Sequence, residues 1–98
     1  MSEDEKYDLE DRTANFSLRT RDLCRQLKQD IINKEYISQL IRSAGSVAAN
    51  YIEANESIGD KNFKMKIKIC RRESKESSYW LRLVITDGSR KWRMKEVI

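Results

Sequence analysis

The feature that most restricts the fold is a run of apolar and small residues spaced alternately by four and three. They are Phe63, Ile67, Cys70, Ser74, Ser77, Leu81 and Val84. A seam of about three heptads is typical of a helix that packs against other helices along its length. Because the chain has no Pro and only three Gly, its composition favours long helices, and turn residues are too few for a many-stranded sheet. We therefore expect an all-α protein, with its 98 residues in one domain.

A second helix, predicted from about Glu35 to Asn55, has a middle rich in small residues. Its apolar face comprises Ile37, Leu40, Ile41, Ala44, Val47, Ala48, Tyr51 and Ile52, with Gly45, Ser46 and Ala49 beside that face. A Gly inside a helix costs roughly 1 kcal/mol relative to Ala. We expect close packing of a neighbouring helix at Gly45 to offset that cost through dispersion contacts. This predicts that the second helix is the central one.

The remaining boundaries complete the predicted architecture. The first helix is expected from about Tyr7 to Lys28, residues 29–34 connect it to the second, and residues 1–6 are expected to be disordered. Gly59 is the expected left-handed cap of the second helix, and Asp60 the N-cap of the third. Residues 89–98 after Gly88 are a divergent basic tail. We expect an up-and-down antiparallel helical bundle of three long helices with a short or truncated fourth.

Charge is distributed unevenly along the chain, whose net charge is +4. Residues 1–11 hold six acidic side chains and one Lys, whereas most basic side chains follow later, many of them on the third helix. A basic row with an aromatic nearby is typical of sequence-independent binding to nucleic acid, through phosphate neutralisation and base stacking, although such faces are also common on soluble proteins. The candidate binding residues are Lys61, Lys64, Lys68, Arg71, Arg72, Lys75, Arg82, Arg90, Lys91, Trp92, Arg93 and Lys95.

Two further groups of side chains are singled out by helical spacing. A second apolar strip on the third helix is the candidate oligomer interface, and it comprises Met65, Ile69, Trp80 and Leu83. A candidate structural polar network comprises Arg42, Asn50, Glu53, Glu73 and Glu76. Glu73 and Glu76 could instead act as paired acid and base or as metal ligands, but carboxylate di-metal bundles also need His, and the chain has none. We favour ion pairing of these carboxylates with Arg42 or with a base of the third helix.

Several classes of function are disfavoured by what the sequence lacks. With no His, no phosphate-binding loop and no Cys/His cluster, we expect no enzyme, no metal site and no cofactor. Cys24 and Cys70 fall on apolar helical faces and are expected to be buried free thiols. No segment has the apolar length of a membrane span, and the acidic N-terminus does not resemble a signal peptide, so we expect a cytoplasmic protein without a membrane partner.

Three motifs in order resemble one bacterial family. They are YDLEDRTANF, YISQLIRSAGSVAANYIEANES and DKNFKMKIKICRRESKESSYWLRLV, which together span about residues 7–85. They resemble a four-helix-bundle family whose first members were open reading frames in intervening sequences of large-subunit ribosomal RNA genes. The resemblance implies an up-and-down four-helix bundle that assembles into a ring-like homo-oligomer, typically a pentamer. A similar protein, the accessory protein of diversity-generating retroelements, is a basic pentamer that binds nucleic acid and a reverse transcriptase. Family members usually carry a longer fourth helix than this chain, which stops at Ile98.

The sequence is consistent with two functions. The first is a non-enzymatic oligomeric protein that binds RNA or DNA non-specifically through the third helix and the basic tail. The alternative is a protein-interaction scaffold or accessory subunit, assembling on itself or on another protein through the apolar strip of the third helix. The alternative predicts that Trp80→Glu dissociates the assembly and leaves helicity intact.

Overall fold

The computed structural model describes residues 3–84, which form three helices: α1 (Glu3–Gln26), α2 (Ile31–Glu56) and α3 (Asp60–Leu83). Helix α2 lies between the other two and packs against both. Two contacts on each side show that both neighbours run antiparallel to α2. They are Glu10–Asn55 and Ser17–Ala44 with α1, and Lys66–Glu53 and Ser77–Ser43 with α3. The all-α prediction is confirmed over these residues. The predicted fourth piece and the break at Gly88 lie outside them.

Two helices begin earlier than predicted, α1 at Glu3 and α2 at Ile31. Residues 3–6, predicted to be disordered, are therefore helical. Helix α2 begins four residues early because Asp30 caps it, its carboxylate accepting the Asn33 backbone N–H at 2.8 Å. Asn33 is fully buried, and its side-chain amide donates to the Lys28 carbonyl at 2.7 Å, which fixes the short connection between α1 and α2.

The connection between α2 and α3 turns at a glycine. Gly59 has a φ of 89°, the left-handed region predicted for it, but it stands as the residue before α3 rather than at the end of α2. Asp60 is the first residue of α3, not its cap, and its carboxylate pairs with Lys64. Helix α2 instead ends at Glu56 and is capped by Ser57, whose hydroxyl donates to the Ala54 carbonyl at 2.7 Å.

Small buried residues let both neighbours approach α2 closely, as the sequence suggested, but Gly45 is not one of them. On one side the Ser17 hydroxyl of α1 donates to the Ala44 carbonyl at 2.9 Å, and on the other the Ser77 and Ser43 hydroxyl oxygens lie 2.9 Å apart. Gly45 is exposed, and a Cβ built on it would have no neighbour within 4 Å. The prediction of close packing at Gly45 is wrong, because this residue lies on the side of α2 that faces neither α1 nor α3.

A cluster of buried side chains lies where the end of α1, the start of α2 and the end of α3 meet. Its buried members are Leu23, Cys24, Leu27, Ile37, Leu40, Leu81 and Val84. Ile41 and Ile52, which the spacing placed on the buried face of α2, are 48% and 45% exposed, because they lie at the outer edge of that face. Ser74 of the predicted seam is exposed as well. Within the part of the chain that the structure covers, no helix has the length and apolar character to cross a membrane.

Candidate nucleic-acid interface

The basic residues of α3 form a surface on the side of the helix away from the core. Cys70, Glu73, Ser77 and Leu81 of α3 are buried against the rest of the fold. At about 100° per residue, the cations predicted for this helix fall on the opposite side. All seven are exposed, and we call them the basic face: Lys61, Lys64, Lys68, Arg71, Arg72, Lys75 and Arg82. With a rise of about 1.5 Å per residue, the basic face extends for about 32 Å along α3.

Most of this charge is not neutralised within the fold. Lys64 forms an exposed ion pair with Asp60 at 3.0 Å, and Arg72 lies 3.7 Å from Glu73. Among residues 3–84 no ion pair is found for the other five members of the basic face. An exposed pair is worth at most about 1 kcal/mol, so Lys64 also remains available to an anion. The predicted residues of the tail, Arg90, Lys91, Trp92, Arg93 and Lys95, lie outside the described residues.

The predicted polar network divides into separate contacts. Arg42 on α2 reaches across to α3, where its guanidinium lies 3.0 Å from Glu76 and 3.8 Å from Glu73. Glu53 instead pairs with Lys66 at 2.6 Å, and Asn50 donates to the Ser46 carbonyl one turn before it. Only three of the five predicted members therefore meet.

Glu73 is the buried anion of this group. Its side chain is 7% exposed, with Arg42 near one carboxylate oxygen and Arg72 near the other. The oxygen nearer Arg42 accepts no hydrogen bond within the described part of the chain. Because a buried charge is costly unless it is paired, Glu73 holds both arginines at the α2–α3 boundary.

These arginines line a shallow cleft of about 550 Å³ between α2 and α3. Its walls are Gln39, Arg42, Arg72, Lys75, Glu76, Tyr79 and Trp80. Tyr79 is 52% exposed, and its ring lies edge-on to Trp80 with centroids 5.0 Å apart. The cleft therefore joins part of the basic face to an accessible aromatic ring.

Helical spacing by itself predicts different roles for the members of this cleft. It places Arg42 in a structural polar network and Trp80 in an oligomer interface, and it does not single out Tyr79. Tyr79 follows Lys75 by four residues and Arg72 by seven, so helical spacing could have placed it beside them. Arg42 comes from α2, so the spacing of residues along α3 could not predict that it reaches this cleft.

Trp80 is not part of a free apolar strip. It packs against the core, and its ring centroid lies 6.2 Å from that of Tyr36 on α2. Met65 is exposed, whereas Ile69 and Leu83 are half-buried. Trp80→Glu would place a charge against the core, so we expect the substitution to destabilise the fold as well as any interface at this position.

The thiols of Cys24 and Cys70 are buried and form no disulfide. Burial raises the pKa of the Cys24 thiol from 9.0 to about 11. Burial also raises the pKa of Cys70, whose thiol donates to the Val47 carbonyl across the α2–α3 interface at 3.5 Å. Both thiols are therefore protonated at neutral pH and act as small apolar groups in the packing.

Comparison with known protein families identifies the chain's relatives. The family described as 23S rRNA-intervening sequence protein matches residues 5–89. The chain belongs to this family. The match covers all of α2 and α3 and most of α1, as the three sequence motifs suggested. The family's description ties it to the intervening sequences of 23S rRNA. No curated protein and no solved structure gives a significant match.

Proposed function

We propose that this protein binds RNA without strong sequence preference, through the basic face of α3, and that it is not an enzyme. The observation that carries the proposal is the exposure of all seven cations on the side of α3 away from the core. Such a row neutralises successive phosphates and releases their counterions, which needs no particular base sequence. Because the family's description names 23S rRNA, RNA is the polyanion that we propose and test first.

A neutralisation experiment tests the basic face. The first variant replaces Lys64, Lys68, Arg71 and Lys75 with Gln. The matched control replaces Arg12, Arg19, Arg21 and Arg25 of α1 with Gln, so it loses the same charge from exposed positions on another helix. Binding to a labelled single-stranded RNA is measured by fluorescence anisotropy over a range of salt concentrations, and circular dichroism checks that both variants fold.

The α3 variant and the α1 control variant are expected to differ in how their RNA binding depends on salt. For single strands the slope of log K against log salt changes by about 0.7 per phosphate contact, so four lost contacts reduce its magnitude by about 2.8. We expect that reduction, together with much weaker binding, for the α3 variant only. Equal losses in both variants would point to a general effect of net charge, and unchanged binding by the α3 variant would refute the proposal.

Self-assembly is a second candidate function, because the outer edge of α2 exposes apolar surface. Ile41 and Ile52 are each nearly half exposed there, with Gly45 on the same edge between them. A second copy of the chain packing on this edge would bury both side chains, and the resemblance to ring-forming proteins supports that occupant. Light scattering would decide: replacing Ile41 and Ile52 with Lys should reduce the mass of the assembly, and an unchanged mass would place any interface elsewhere.

A further inference from the structure

We propose that the cleft between α2 and α3 receives an unpaired nucleobase, which stacks on Tyr79 while its neighbouring phosphates contact Arg72 and Lys75, so that the protein prefers single-stranded RNA to duplex. This inference rests on the proposed RNA binding and adds the class of RNA that is bound. It is carried by the juxtaposition of an exposed aromatic ring with cations of the basic face.

Exposure of Tyr79 alone would not support a site, because single exposed aromatics are normal on protein surfaces. Tyr7 of α1, for example, is 57% exposed. Tyr79 differs in its surroundings. It shares the cleft with Arg72 and Lys75, so a strand whose phosphates follow the basic face would bring its bases to this ring.

The position of the Tyr79 ring is also restrained by a neighbouring aromatic ring. Trp80 contacts Tyr79 edge-on at 5.0 Å and is itself packed against the core and Tyr36. A side chain positioned in this way loses less conformational freedom when a ligand binds than a fully mobile one would.

Charges within the cleft set where the phosphates would lie. Arg42 is already paired with Glu76 at 3.0 Å, and the Glu76 carboxylate repels anions on that side. Within residues 3–84 Lys75 has no ion pair, and Arg72 pairs with the buried Glu73 at 3.7 Å. Phosphates are therefore expected beside Arg72 and Lys75, with the base directed toward Tyr79.

Stacking on an aromatic side chain requires a nucleobase that is not enclosed in a base-paired duplex. In duplex RNA the bases stack on each other and the deep, narrow major groove excludes side chains. A single strand can place any base on an aromatic ring, because every base has a π-face. The cleft would therefore distinguish single strands from duplexes without selecting a sequence.

The test compares Tyr79→Ala with two matched variants. Tyr7→Ala removes an equally exposed aromatic ring far from the cleft, and Tyr79→Phe keeps the stacking ring but removes its hydroxyl. Each is titrated against labelled oligouridylate, the corresponding oligothymidylate and a short RNA duplex. Circular dichroism and thermal unfolding check that each variant folds as the unsubstituted protein does.

We expect Tyr79→Ala to weaken binding to oligouridylate by about 5- to 140-fold, the range that stacking on one base contributes. Duplex binding and the salt slope should not change, because no cation is removed, and Tyr79→Phe and Tyr7→Ala should bind normally. Weaker binding to oligothymidylate as well would show that the cleft takes single strands of either sugar. Equal losses for single strand and duplex, or no loss at all, would overturn the inference.

A fluorescence measurement provides a second readout. In a Trp92→Phe background Trp80 is the remaining tryptophan, and a base stacked on Tyr79 should quench the Trp80 emission on titration with oligouridylate but not with duplex.

Failure of the stacking inference can be told apart from failure of the proposed RNA binding. If the α3 charge variant loses binding while Tyr79→Ala and Trp80 fluorescence are unaffected, only the stacking inference fails. If the unsubstituted protein binds no RNA, both fail.

Discussion

Gly45 offers a direct test of how the helices pack, since it lies in the middle of α2 with no neighbour on its open side. A Cβ built on this residue meets no atom within 4 Å, so Gly45→Ala introduces no steric cost within the protomer. What remains is helix propensity, where Ala is favoured over Gly by roughly 0.5–1 kcal/mol. For a domain of this size each kcal/mol raises Tm by about 4–8 °C, so the variant should unfold about 2–8 °C higher.

Ala44, the preceding residue, is the control because it is buried and its carbonyl accepts the Ser17 hydroxyl. Ala44→Leu forces extra volume between α1 and α2 and should cost about 1–3 kcal/mol. Thermal unfolding followed by circular dichroism, with urea unfolding for the free energies, would measure both variants. If Gly45→Ala lowers Tm, some other surface packs against Gly45. Repeating the measurement at several protein concentrations would then show whether that surface belongs to a second copy.

Two other buried groups lead to predictions about stability. The Thr20 hydroxyl is buried and has no hydrogen-bond partner within residues 3–84, so the isosteric Thr20→Val should raise the free energy of unfolding by about 1 kcal/mol in urea titrations. A decrease would mean that the hydroxyl is satisfied in solution. Because burial raises the pKa of Cys24 to about 11, the native state holds this proton more tightly than the unfolded chain does. Stability should therefore fall as pH rises from about 9 to 11, and Cys24→Ala should fall less steeply, whatever its stability at neutral pH. Equal pH dependence in the two proteins would contradict this reasoning.

The sequence by itself determined the helical class, the approximate positions of the helices and the exposure of the basic face. These follow from periodicity, because residues repeating every three or four positions must share one side of a helix whatever packs against it. The cations at Lys64, Lys68 and Lys75 fall away from the seam that includes Cys70 and Leu81, so their exposure follows once the seam is buried. The start of α2 was predicted four residues too late, although Asp30 is a preferred N-cap residue type and its carboxylate accepts the Asn33 backbone N–H.

Only the tertiary structure decided which edge of each apolar face is covered. Helical spacing gives the angles between residues but not the direction from which a neighbour approaches, so it could not show that Gly45 and Ile41 lie outside while Ala44 is buried. The cleft depends on the same information. Arg42 and Glu76 are 34 positions apart, and they meet because α2 and α3 pack antiparallel in one register. Contacts between helices are set by packing over the whole interface, and no local pattern encodes them.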